Sequence, residues 1–212
     1  YYRDQELVYS KKALNDFRSK VSMVFQDPDQ QIFYSNVKDD IAFALKNQKM
    51  DPDLIEEKVQ KSMEAVNITH LANRPVHYLS YGQKKRVAIA GILAMDCETI
   101  LFDEPTAGLD PSMTESIKEL LASLVAQGKK LIVSSHDMDF IYQVCDYVYV
   151  ISHGQMVTEG SIDQVFLNEK AIQEAGLIPP TLVRMHLHGK TPLFKKEEDL
   201  YAYLRERAEE SH

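Results

Sequence analysis

The short run Leu79-Ser80-Tyr81-Gly82-Gln83 is followed closely by the apolar Ile100-Leu101-Phe102 ending in Asp103-Glu104-Pro105, and then by Ala107-Gly108-Leu109-Asp110. That order leaves few folds open. A Ser-x-Gly turn that opens a helix presents backbone N–H groups, at the positive end of the helix dipole, to an anion. An apolar strand closed by two adjacent carboxylates offers a metal ligand and a base at the carboxyl edge of a sheet, where open α/β sheets bind ligands. These are pieces of a site that hydrolyses a nucleoside triphosphate. A glycine-rich phosphate loop should accompany them, yet Gly-x-x-x-x-Gly-Lys-[Ser/Thr] occurs nowhere in the 212 residues.

Taken singly, each piece has a plainer reading. Ser80 is also an ordinary helix N-cap, and Asp103-Glu104 a strand cap followed by a helix-start acid. His136, after a third strand, is also a structural histidine, and a lone Gln26 at another strand end carries little information. In the chemical reading, Asp103 holds Mg²⁺, through water, and Glu104 polarises the attacking water. Ser80 and Gly82 take a γ-phosphate, His136 donates a hydrogen bond to the terminal phosphate, and Gln26 reaches both metal and water.

Hydrophobic residues make up 44% and charged residues 26% of the chain, which suits one buried domain with an appendage and argues against disorder. The formal charge of −8 disfavours a nucleic-acid-binding face. Lys84-Lys85-Arg86 reads as a solvated helix face. The two cysteines, Cys97 and Cys145, form no disulfide framework and fit a reducing compartment. No apolar run approaches the ~18–20 residues that cross a bilayer; residues 87–95, closed by Asp96, read as a buried helix face.

Residues 1–19 read as a polar, aromatic tail ending in a short helix. Residues 21–26 are a strand stopped by Asp27-Pro28-Asp29. Helices are expected over 36–48 and from Asp51-Pro52 to about 66, with a shorter one before Arg74-Pro75. Ser80 caps a helix over 82–95, 100–103 is a strand, and Asp110-Pro111 opens a helix that Gly128 closes. A strand at 131–135, a helix at 138–145 and a hairpin of 147–152 with 155–159 around His153-Gly154 follow. The alternation over 20–152 predicts a largely parallel α/β sheet. Residues 161–212 read as a helical extension broken at Pro179-Pro180.

The order of the pieces is more specific than any one of them. A strand-end Gln26, Leu79–Gln83, an apolar strand into Asp103-Glu104, Gly108-Leu109-Asp110 and then Ser135-His136 together resemble the nucleotide-binding domain of ATP-binding-cassette (ABC) proteins. Gln26 looks like the Q-loop glutamine, Leu79–Gln83 the signature motif, 100–104 the Walker B strand, 107–110 the D-loop and His136 the switch histidine. Two departures stand out. Tyr81 occupies a position where glycine is usual, so its side chain is expected to turn outward. The Walker A loop and the adenine-stacking aromatic are absent, and only 25 residues, none of them glycine, precede Gln26. The expectation is therefore a P-loop NTPase-like ABC ATPase domain over 1–160 that lacks its Walker A strand-loop-helix, with a helical subdomain at about 36–96 and a C-terminal helical extension over 161–212. Because the chain starts with Tyr1, a partial sequence is the expected reason. An in-frame Walker A codon run upstream of Tyr1 in the gene would support it.

Phe25-Gln26-Asp27-Pro28-Asp29-Gln30-Gln31-Ile32-Phe33 and Leu79–Gly91 further resemble the ATPases of energy-coupling-factor (ECF) importers, the cobalt type above all. That resemblance implies ATP and Mg²⁺, and a pair of like subunits at the cytoplasmic face of the cell membrane. A transmembrane coupling subunit would dock on 36–74, beside a metal-binding membrane subunit. Ser80, Gly82, Gln83 and Asp110 would complete the partner's nucleotide site, with Glu104, His136 and Gln26 catalytic and Asp103 and Gln26 on the metal. His186 and His188 read as an exposed helix face and not as cobalt ligands. A non-transport ABC ATPase, or a binding module without catalysis, are the alternatives.

Overall fold

The computed structural model describes residues 9–210; the first eight residues of the tail expected over 1–19 and the last two residues of the extension lie outside them. The chain divides into two compact units, one ending at Ser134 and the other beginning at Ser135.

The first unit contains α1 (Lys11–Lys20), β1 (Val21–Val24), α2 (Val37–Asn47), α3 (Pro52–Ala65), α4 (Tyr81–Ala94), β2 (Thr99–Asp103), α5 (Pro111–Ala126) and β3 (Lys130–Ser134). The strands form a parallel sheet in the order β1-β2-β3. Val24 lies beside Phe102, and Asp103 beside Ser134. All three carboxyl ends therefore meet at one edge, which carries Gln26, Asp103-Glu104 and Ser134.

Helix α4 is the centre of this unit. Val87, Ala88, Ile89, Ala90 and Ile92 are all buried, so the helix is apolar on several sides, as a helix inside a core must be. It packs against α2, α3 and β1, and Ile41 and Leu45 of α2 and Val59 and Met63 of α3 are buried as well. Each such side chain contributes about 1.5–3 kcal/mol of burial. The helix starts are written in local chemistry: Asn36, Asp51, Ser80 and Asp110 each accept a first-turn backbone N–H at the N-cap. The expected short helix before Arg74-Pro75 is only a 3₁₀ turn, Thr69–Leu71, and a second turn, Val76–Tyr78, follows it. Pro75 denies the segment a donor and restricts Arg74, and the chain there bridges to Asn36.

The second unit holds α6 (Met138–Val144), β4 (Tyr147–Ser152), β5 (Gln155–Ser161), α7 (Ile162–Leu167), α8 (Glu169–Glu174), α9 (Thr181–Gly189) and α10 (Glu197–Glu210). The expected hairpin forms: β4 and β5 pair antiparallel. His153 at φ 49° and Gly154 at φ 74° supply the two left-handed residues of a tight hairpin turn. The Pro179-Pro180 break falls between α8 and α9, as expected. His188 is exposed and 3.2 Å from Glu169, while His186 is half-buried with Nδ1 2.7 Å from the Thr191 carbonyl. Among the described residues no group of three or more His, Cys, Asp or Glu side chains is placed to hold a metal ion.

Candidate nucleotide site

Strand β2 delivers Asp103 to the sheet edge, where its Oδ1 accepts the Ser134 hydroxyl at 2.5 Å. The next residue leaves the strand sharply. Glu104 has φ +44°, a left-handed conformation that costs a residue with a Cβ about 1–2 kcal/mol. Such strain persists only where the surroundings over-determine it, and here they do. The Glu104 N–H donates to the Ser134 carbonyl at 3.0 Å, and its own carbonyl accepts from the Ala107 N–H at 3.2 Å and from Lys85 Nζ at 2.7 Å.

Ser80 opens α4 with a reciprocal capping box. Its hydroxyl accepts the Gln83 N–H at 3.3 Å, and the Gln83 side-chain carbonyl accepts the Ser80 N–H at 3.0 Å. Gln83 thus has an intrachain task, organising the first turn of α4. Gly82 faces the start of α5: a Cβ there would press on the flexible end of the Met113 side chain, so the first turn of α4 seats directly on α5. Asp110 caps α5 by accepting the Met113 N–H at 2.9 Å.

Tyr81 is 40% exposed, as an outward side chain should be, yet it also makes intrachain contacts. Its ring lies against Gly108, where a Cβ would come within 3.0 Å of it, and its hydroxyl donates to the Gln26 carbonyl at 3.1 Å. Burial, with the charges of Asp27 and Asp29 behind it, pushes the phenol pKa up and keeps that donor protonated. Lys84-Lys85-Arg86 is not a solvated face. Lys84 pairs with Asp29 at 2.7 Å, and Arg86 donates to the Val66 carbonyl at 3.3 Å. Lys85 is only 1% exposed and donates to the carbonyls of Gln26, at 3.2 Å, and Glu104. Burial outweighs the nearby Glu104, Asp103 and Asp27 charges and pulls its pKa down. Charged residues go inside only when partnered, and these partners are backbone atoms.

Gln31 adds a further tie, accepting the Phe25 N–H and donating to the Ala88 carbonyl, both at 3.1 Å. The Gln26 loop, the first turn of α4, the Asp103-Glu104 strand end and the Gly108 loop are therefore one connected cluster. His136 belongs to the second unit. It is exposed and directly precedes Asp137, the N-cap of α6.

An α/β domain with these strand-end carboxylates and this capped turn is an ATPase-type nucleotide-binding domain of the P-loop NTPase class. The ABC transporter family matches residues 2–107. An ABC transporter ATP-binding protein of Listeria monocytogenes is 50% identical over 203 residues, covering 96% of this chain and 76% of that protein. The cobalt import ATP-binding protein CbiO of Salmonella typhimurium is 42% identical over 200 residues, 94% of this chain and 74% of that protein. The structure of CbiO1 from Clostridium perfringens, part of the ABC transporter complex cbiONQ, superposes with TM-score 0.73 at 36% identity, over 88% of this chain and 74% of that one. The chain belongs to the ABC transporter family, and its resemblance to cobalt-type and ECF ATPases is borne out.

Proposed function

We propose that this chain is the ATP-hydrolysing subunit of an ECF-type importer for cobalt or a related divalent ion, seated at the cytoplasmic face of the membrane beneath transmembrane partner subunits. The observation that carries the reading is the geometry of the sheet edge: Asp103, Glu104 and the Gln26 loop converge there, fastened by one helix whose N-terminus is the Ser80–Gln83 turn. CbiO of Salmonella typhimurium, 42% identical over 94% of this chain, supplies the cobalt-import expectation.

Carboxylate and amide oxygens are the hard donors Mg²⁺ prefers, so Asp103 and the Gln26 side chain fit that ion. When bound it would neutralise charge on the phosphates. Glu104 acts as the base that orients and deprotonates the attacking water, and its fixed backbone limits where the carboxylate can reach. His136 hydrogen-bonds the terminal phosphate. Ser80, Gly82, Gln83 and Asp110 line the face offered to a second ATPase subunit, whose ATP they complete.

Among the described residues no helix is long and apolar enough to cross a membrane, and we place coupling at a docking surface. A hollow of about 150 Å³, lined by Phe33, Ile41, Phe43, Ala88 and Ile92, lies between the Gln26 loop region and helices α2 and α4. Its rim is held by Asp40, which accepts the Phe33 and Tyr34 N–H groups at 2.8 and 2.9 Å. An apolar helix tip from a transmembrane subunit fits such a surface.

The test is Glu104→Gln in the full gene product. Steady-state ATP turnover is expected to vanish while ATP binding persists; turnover within a fewfold of wild type would remove Glu104 from the role of base. Loss of radioactive cobalt uptake on deletion of the gene checks the substrate, and unchanged uptake would reassign it.

A further inference from the structure

Two donors, the buried Lys85 and the partly exposed Tyr81, converge on one backbone oxygen. The Gln26 carbonyl accepts both Tyr81 Oη at 3.1 Å and Lys85 Nζ at 3.2 Å, and the same Nζ reaches the Glu104 carbonyl at 2.7 Å. The Lys85 ammonium also sits 5.9 Å from the centre of the Tyr81 ring, within reach of a cation–π attraction. Gln26 and Glu104 are far apart in sequence and lie at the ends of different strands. Lys85 joins them, and it grows from the second turn of α4, whose first turn is the Ser80–Gln83 cap.

We propose that Lys85 is a positioning residue for turnover: its ammonium holds the main chain of Gln26 and Glu104 in the geometry that aims their side chains at the attacking water. The proposal rests on the functional reading above, in which those two side chains serve this subunit's own nucleotide and the Ser80–Gln83 turn serves the partner's. Lys85 then carries a second consequence. A shift of the α4 turn on engaging the partner's phosphate moves the ammonium, and with it both carbonyls, so Lys85 is one of the side chains through which closure of one site is felt at the other. Three observations support a positioning role over mere packing. The amine is carried by a side chain only 1% exposed, its hydrogen bonds go to backbone oxygens of site residues, and one of them restrains a left-handed Glu104.

The experiment compares Lys85→Met, Lys85→Arg, Tyr81→Phe and Glu104→Gln in the full gene product assembled with its membrane subunits, reading kcat, KM for ATP and the thermal midpoint. Methionine keeps the length of lysine and removes the donor. A misplaced catalytic group costs turnover more than binding, so Lys85→Met should lower kcat about tenfold or more with KM within about twofold. Lys85→Arg, which restores donors, should recover most of that loss, an outcome that loss of packing alone would not produce. Tyr81→Phe removes only the second donor to Gln26, and should lower kcat by about threefold. Lys85→Met with kcat within about twofold of wild type overturns the proposal, as does an arginine variant that folds and is no better than methionine. If Lys85→Met does not fold, Tyr81→Phe decides, and unchanged turnover there overturns the proposal. Glu104→Gln separates the two levels: if it retains turnover the functional reading falls, and if it is dead while Lys85→Met is fully active only the positioning role falls.

Discussion

Replacing Glu104 by glycine and by alanine, and comparing the two, tests the strain at the sheet edge directly. Both substitutions delete the carboxylate, so whatever that group contributes to stability cancels between them. What remains is the conformation. At φ +44° alanine keeps a Cβ in the left-handed region at a cost of about 1–2 kcal/mol, which glycine escapes. Glycine in turn brings back about 0.4–1 kcal/mol of unfolded-chain entropy. The balance favours Glu104→Gly over Glu104→Ala by about 1 kcal/mol, whereas at ordinary positions alanine is the more stable by about 0.5–1 kcal/mol. The sign is therefore the readout. The chain has no tryptophan, so urea unfolding is followed by far-ultraviolet circular dichroism, on the transition that carries the first unit. Alanine exceeding glycine in stability would refute the argument that the backbone at Glu104 is held against its preference. Neither variant should turn over ATP in the full product, because both lack the carboxylate proposed as the base.

Two further outcomes follow from the fold. Ile89 is fully buried in α4, and Ile89→Ala should destabilise the first unit by about 2–5 kcal/mol in urea; a cost of a few tenths would mean that α4 is not the core helix. In the second unit, burial, helped by the neighbouring Asp146, pushes the Cys145 thiol up to about 11. The folded form thus holds its proton where the unfolded form has lost it, so this contribution to stability is complete below the ordinary thiol pKa of about 8.5 and fades as pH rises toward 11. Labelling of the native protein by a thiol reagent at mildly alkaline pH should be slow at Cys145 and fast after unfolding. Equal rates would show the thiol to be accessible.

Elements whose signals are local were readable in the chain. Asn36, Asp51, Ser80 and Asp110 announce their helices because an N-cap acts within three residues. His153-Gly154 announces its hairpin because two adjacent left-handed residues suffice. The candidate site was legible as a list and not as an assembly. Lys84-Lys85-Arg86 looks like surface charge because two of its partners, the carbonyls of Gln26 and Glu104, are backbone atoms that every residue possesses. Ser134 earns its bond to Asp103 only through the parallel register of β2 and β3. The left-handed turn at Glu104 has no counterpart in residue type at all. The contacts of Tyr81 with Gly108 and the Gln26 carbonyl were not legible either, because they depend on loops far apart in sequence.

The sheet of the first unit carries a liability for anyone handling the isolated chain. Strand β3 pairs with β2 on one side, and among the described residues no further strand joins that sheet. Its Ile132 is 58% exposed, and a strand with one unpaired side is a ready template for another chain. Concentrated solutions should accordingly drift toward strand-to-strand association. A lysine or proline introduced on that free side, away from Ser134 and Asp103, is the change that would keep the protein soluble without touching the sheet edge where the chemistry is gathered.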